Sequence, residues 1–144
     1  KPEMSAPEVA AEAAARIDSD KYDLVVINFA NLDMVGHTGV MEAAIKAAET
    51  VDTCVEKVVT RARGRGYAVL VTADHGNSDR LREPDGSPHT AHTMNPVPFV
   101  AVGDWPADIE LQTGVLGDIA PSILHILGIA RPPEMTGKNL IPRT

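Results

Sequence analysis

Three short apolar runs constrain this chain more than any other feature. They are Leu24–Phe29 (LVVINF), Ala68–Thr72 (AVLVT) and Pro98–Val102 (PFVAV). Each is continuous rather than alternating and rich in β-branched residues, the pattern of a strand buried on both faces. Helical segments lie among them. Ser5–Ile17 (SAPEVAAEAAARI) opens with Ser5 as a candidate N-cap and has Pro7 and Glu8 in its first turn. Met41–Arg63 carries Ala44, Ile45, Ala48, Val51, Val55, Val58 and Val59 at helical spacing and closes at Gly64. Asp118–Leu127 is expected to be a helix capped by Asp118 and ended by Gly128, and the Pro-rich tail from Arg131 is expected to be irregular. Strands alternating with helices predict an α/β fold, a three-layer α/β/α arrangement with a mostly parallel central sheet.

In such sheets, sites form beyond the carboxyl ends of the strands, and this chain's reactive side chains cluster there. Asp33 and His37 follow the first run in Asn31-Leu32-Asp33-Met34-Val35-Gly36-His37. Four apart, they would share one face of a helical turn; Gly36 and Gly39 allow a loop instead. Asp74-His75-Gly76 follows the second run. Adjacent side chains point to opposite faces of a regular strand, so Asp74 and His75 can share an ion only where the strand has ended, and Gly76 permits that turn. His92 lies in the loop feeding the third run. Singly, each cluster admits an ordinary account: an N-capping Asp, a turn, a loop histidine.

Together they say more. Two carboxylates and three histidines exceed the four ligands of a simple structural site. They suit two neighbouring divalent ions, which can clamp the attacking and leaving oxygens of a phosphoryl transfer. Carboxylate and imidazole donors without a thiolate favour Mn or Zn over an all-oxygen cage. Such ions would also offset a net charge of −7 at pH 7, which disfavours phosphate substrates and argues against a nucleic-acid partner.

The remaining candidates are less telling. His125 is expected at a core boundary, His89 on an exposed loop and Cys54 in packing. Arg61, Arg63 and Arg65 are expected to be solvated helix-end charges; Arg80 and Arg82, near Asp74-His75, keep some claim on a phosphate. One cysteine rules out an intrachain disulfide. No run reaches the roughly 18 apolar residues of a membrane span and no leader pattern opens the chain, so no membrane partner is expected; the single cysteine fits a reducing, cytoplasmic location. The opening Lys1, in place of Met, is expected to mark a cut.

The strings KPEMSAPEV, NFANLDMVGHTG, VTADHGNSD, TAHTMNPVPFV, GVLGDIAPSILHILGI and EMTGKNLI, spread from Lys1 to Ile141, resemble in order and spacing the C-terminal part of cofactor-independent phosphoglycerate mutases. Two positions depart from the usual pattern, Leu32 (usually Pro) and Thr38 (often Ser); neither is a ligand position. The resemblance implies an alkaline-phosphatase-like metal domain, incomplete in residues 1–144, with its N-terminal segment and an inserted substrate domain absent. It implies two Mn ions (Zn or Co being alternatives), one held by Asp33, His37 and His92, the other by Asp74 and His75. It implies that a serine upstream is the nucleophile carrying the phosphoryl group between the 3- and 2-positions of glycerate, so no catalytic residue is expected in this chain. Ser78, the serine nearest the Asp74-His75 pair in sequence, is expected to be a loop residue. Rival expectations are another phosphotransferase or hydrolase of the same superfamily, such as a phosphopentomutase or phosphodiesterase, and a non-catalytic metal-binding module.

Overall fold

The structure, a computed structural model, describes residues 1–142; the last two residues of the expected irregular tail lie outside the described residues. Two compact units divide the chain at Ala101/Val102.

The first unit is built on two helices, α1 (Ala6–Asp18) and α3 (Met41–Gly64). Their facing stripes are made of small side chains. Ala6, Ala10, Ala13 and Ile17 of α1 are buried with Cys54, Val58 and Ala62 of α3. Spacings of three and four place each set on one helix face. With few bulky residues between them, the helices lie close, and Ala10 is 0% exposed. A larger side chain forced into such a position typically costs about 1–3 kcal/mol. Cys54 thus serves packing, as expected. Ser5 occupies the N-cap position of α1 without a side-chain bond to the helix; only its carbonyl takes part, accepting from Val9 N at 2.9 Å.

The arginines closing α3 are more than solvated charges. Arg61 pairs with Asp18 at 3.2 Å, and Arg65 donates to the Asp18 carbonyl at 2.5 Å. They tie the end of α3 to the end of α1, and Arg63 donates to Tyr67 O at 2.7 Å.

Strands β1 (Val69–Thr72) and β2 (Phe99–Val102) pair in a two-stranded sheet. The expected strand Leu24–Phe29 is not one here. A strand is defined by its ladder, and among the described residues no backbone hydrogen bond ties 24–29 to another segment. The segment is extended in its burial pattern, however. Val25, Ile27 and Phe29 pack on the α1/α3 cluster while Leu24, Val26 and Asn28 face outward. Helices cover one face only, so Val26 is 80% exposed where a doubly buried residue was expected.

A short helix, α2 (Asn31–Gly36), settles the open choice after that segment in favour of a helical turn. Its first residue, Asn31, is buried and donates to the carbonyls of Pro2 and Glu3 at 2.8 and 2.9 Å. Val35 packs with Ala44, Ala47 and Leu81, seating α2 on α3.

In the second unit a single 3-10 turn, Leu116–Asp118, leads into α4 (Ile119–Leu127), which ends at Gly128 as expected. Asp118 does not cap α4 with its side chain. Its carboxylate instead accepts from the backbone N–H groups of Val115 and Lys138, both at 2.8 Å. Those bonds hold its pKa below the ordinary carboxylate value, against the opposing effect of burial. Ser122 relays the stitch, donating to Asp118 O and accepting from Leu140 N. His125 is half-buried, as expected for a boundary residue. Among the described residues no helix is long and apolar enough to cross a membrane.

An extended apolar segment without a ladder is a template for association. Light scattering on the chain at rising concentration should show self-association, reduced by Val26→Lys. A monodisperse monomer for the unsubstituted chain at every concentration would show that the exposed edge is inert.

Candidate metal centre

The reactive side chains come from three separate parts of the chain. Asp33 sits within α2 and His37 at its C-cap. His75 follows β1, and His92 precedes β2. All three imidazoles converge on a single oxygen, Asp33 Oδ1. His92 Nε2 lies 3.0 Å from it, His37 Nε2 3.2 Å and His75 Nε2 3.7 Å. The His75 and His92 rings stack, with centroids 3.7 Å apart and planes 18° from parallel. Asp33, His75 and His92 each offer a ligand atom within 4.8 Å of the others. That trio takes one member from each cluster and cuts across the partition the resemblance implies. Asp74 stands at the rim, 75% exposed, joined to the group only through His75 Nε2 at 3.6 Å.

Which ring nitrogens face inward follows from their outer partners. His37 Nδ1 lies 2.7 Å from the Thr90 carbonyl, and His75 Nδ1 lies 3.3 Å from the Gly76 carbonyl. A carbonyl can only accept, so these Nδ1 atoms carry the proton, and the neutral rings present Nε2 lone pairs towards Asp33. Lone pairs and a carboxylate oxygen aimed at one another repel unless a cation lies among them or the rings are protonated. The donor set therefore fits a divalent ion, and carbonyl partners on the far ring nitrogens are the usual support for metal-binding histidines.

Asp33 has a further partner that the sequence did not reveal. Asn77, 6% exposed, donates Nδ2 to Asp33 Oδ1 at 2.9 Å. Burial pushes the Asp33 carboxyl up, but the Asn77 bond and the positive charge of the three imidazoles when protonated outweigh it, and the net shift is downward. Asn77 Oδ1 is buried with no hydrogen-bond partner among the described residues. It occupies space beside Gly36, where an added Cβ would come within 2.0 Å of it. Ser78 continues the contact, donating Oγ to Leu32 O at 2.7 Å. Its hydroxyl is thus tied to α2, in keeping with a loop residue. The only sequence signal for Asn77 was its position two residues past His75, and an Asn in a turn looks ordinary.

Other candidates lie apart. His89 is not an exposed loop residue: its side chain is 14% exposed and pairs through Nδ1 with Glu83 at 2.5 Å. Leu81 to His89 forms a tight hairpin that folds the ring inward, with Glu83 N bonded to Ser87 O. Arg80 is also committed to Glu83, at 2.6 Å, and Arg82 leans on Gly86 O at 3.4 Å. Neither faces the histidines through any of these contacts.

Residues 1–131 match the sequence model of the Metalloenzyme superfamily, and the chain belongs to that superfamily. Its fold is the alkaline-phosphatase-like metalloenzyme fold. Over 141 residues the chain is 57% identical to the 2,3-bisphosphoglycerate-independent phosphoglycerate mutase of Rhodopseudomonas palustris, covering 97% of this chain and 27% of that protein. It is 55% identical over 141 residues to the mutase of the same name from Clostridium acetobutylicum, covering 97% and 28%. A phosphoglycerate mutase of Leishmania mexicana, crystallised at low cobalt concentration, has a TM-score of 0.88 to this chain at 31% identity, covering 100% of this chain and 29% of that one. The chain thus spans just over a quarter of the length of the curated relatives it matches.

Gly36→Ala should displace Asn77 and loosen Asp33, since the new Cβ would meet Asn77 Oδ1 at 2.0 Å. We expect divalent-ion affinity to fall by roughly 10–100-fold, the usual scale for losing a supporting partner. Calorimetric titration of the purified chain with Co(II) measures it; an unchanged affinity would show that Asn77 does not orient Asp33.

Proposed function

We propose that this chain is the metal-ligand-bearing C-terminal part of a 2,3-bisphosphoglycerate-independent phosphoglycerate mutase. The whole enzyme would interconvert 3-phosphoglycerate and 2-phosphoglycerate through a phosphoserine, as a glycolytic isomerase of the cytoplasm. The observation that carries the proposal is the convergence of three imidazoles on Asp33 Oδ1 at the ends of separate elements. The identity to proteins of that name, sustained over almost the whole chain, supports it.

Asp33, His37 and His92 would hold one divalent ion, Asp74 and His75 the other, with Mn favoured and the second site completed by residues outside this chain. When bound, the ions would neutralise charge on the transferring phosphoryl group as Lewis acids. The chain's own residues do the holding. Asn77 keeps the Asp33 carboxyl ionised and aimed; the Thr90 and Gly76 carbonyls keep the Nε2 atoms of His37 and His75 turned inward. The serine nucleophile and most substrate contacts would lie outside these residues.

Metal binding should weaken on acidification. The depressed pKa of Asp33 keeps that carboxylate ionised through mildly acid pH, so the imidazoles set the window. Imidazole must be neutral to coordinate and ordinarily titrates near about 6.5. Mn affinity by calorimetry should therefore be much lower at about pH 5.5 than at about pH 8, and equal affinity at both would exclude histidine ligation.

These 144 residues alone should show no mutase turnover in an enolase-coupled assay on 3-phosphoglycerate, even with saturating Mn. Positioning of a bound substrate can supply roughly 7–11 kcal/mol of barrier lowering, and a nucleophile is also required. Within the full-length protein, His92→Ala should cost more than the roughly 10–100-fold typical of losing a supporting partner. Turnover by the isolated chain comparable to the full-length protein would refute the upstream-nucleophile reading; a fully active His92→Ala protein would refute the metal site.

A further inference from the structure

We propose that Asp79 is the positioning residue that sets His92 against His75 and Asp33, by clamping the loop that carries His92. The inference rests on the metal-site reading above. His92 belongs to an irregular, exposed stretch, and no helix or strand orients it. Its ring nevertheless stacks on His75 at 3.7 Å and reaches Asp33 at 3.0 Å. Loop imidazoles hold such a geometry only if the neighbouring backbone is fixed.

The fixing contacts converge on one carboxylate. Thr93, next to His92, donates its hydroxyl to Asp79 Oδ2 at 2.9 Å, with Oδ1 at 3.2 Å. Asn95 donates Nδ2 to Asp79 Oδ2 at 2.6 Å. The Thr93 backbone N–H donates to Gly76 O at 2.7 Å, the neighbour of His75. Gly76 makes this approach possible, because a Cβ there would lie 2.0 Å from Thr93 Oγ1 and 2.9 Å from Asp79 Oδ1. Asp79 is itself held, since the two residues before it, Asn77 and Ser78, are bonded to α2. A continuous path therefore runs from α2 through 77–79 to 93–95, and His92 rides on its end. The Asn95 bond also draws the Asp79 pKa downward, with burial opposing and Thr93 adding to the fall, so the acceptor stays ionised.

Because Asp79 is exposed, its replacement should disturb the loop more than the fold. Co(II) titration of the purified chain, with circular dichroism to monitor folding, tests the proposal. Asp79→Ala should weaken affinity by roughly 10-fold or more while leaving the helical signal intact, and Asp79→Glu should restore most of it. Thr93→Val, which removes only the hydroxyl, should weaken binding in the same direction and guards against misfolding of Asp79→Ala. In a His92→Ala background, adding Asp79→Ala should change affinity by less than about twofold, because a clamp acts only through the ring it places. Asp79→Ala and Thr93→Val binding as tightly as the parent, or an equal loss with and without His92, would overturn the clamp while leaving the metal site standing. A His92→Ala chain that binds cobalt undiminished would instead overturn the metal-site reading, and the clamp with it.

Discussion

A carboxylate oxygen that draws three imidazoles and an amide around itself is the fixed point of the first unit. Asp33 Oδ1 accepts from Asn77 Nδ2 at 2.9 Å and faces three Nε2 atoms within 3.7 Å. Oxygen has too few lone pairs to satisfy four nitrogens at good geometry, and His37 and His75, whose Nδ1 atoms face carbonyls, have no Nε2 proton to offer when neutral. With those rings neutral the cluster is unfavourable, and a cation among the donors makes it favourable. At about 4 Å and an effective dielectric constant of about 20, a pair of unit charges is worth about 4 kcal/mol. The chain's net charge of −7 is spread over its surface and screened beyond about 8–10 Å. A dication at this point would therefore dominate the field a phosphate meets, despite the acidic surface.

The surrounding fold can be understood as what is needed to keep Asp33 there. α2 is only six residues long and could not be stable alone. Asn31 anchors its first turn to residues 2–3, Val35 seats it on α3, and Asn77 and Ser78 bond to its Asp33 and Leu32. α3 is in turn locked to α1 by small-residue packing and by the Asp18 pairs at its end. A change far from the histidines, such as enlarging Ala47, would reach the site through this stack.

Periodicity served the sequence reading well where burial follows one helix face. The spans of α1, α3 and α4 came out within a residue or two of expectation, and so did both paired strands. It failed where structure depends on a partner. Leu24–Phe29 has strand composition, but composition cannot supply a ladder, and the segment remains extended with one face bare. The metal-site candidates were visible because His and Asp beside strand ends are unusual in combination. Their supports were not. Asn77, Asp79, Thr93 and Asn95 are the residue types that turns use anyway, and only three-dimensional contact separates a turn former from a brace. Ser5 and Asp118 show the converse: both stand at N-cap positions, yet neither side chain caps its helix.

The two halves of the proposed centre are unequal within this chain. Around Asp33 the chain supplies one carboxylate and up to three imidazoles, each oriented from behind by a carbonyl or amide or, through its loop, by Asp79. Around Asp74 it supplies one largely exposed carboxylate and His75, which leans equally towards Asp33. Two donors fall short of the four or more that hold a divalent ion firmly, and an exposed carboxylate must surrender its rotamer freedom to become a ligand. On the proposed reading, the Asp33 side would take up an ion with the chain's own residues, and the Asp74 side would need donors from elsewhere. His75 then becomes the pivotal residue. Its Nε2 stands 3.7 Å from one carboxylate and 3.6 Å from the other, so one small ring rotation decides which ion it serves. Its stacking on His92 opposes that rotation, which makes the placement of the His92 loop a determinant of both ions at once.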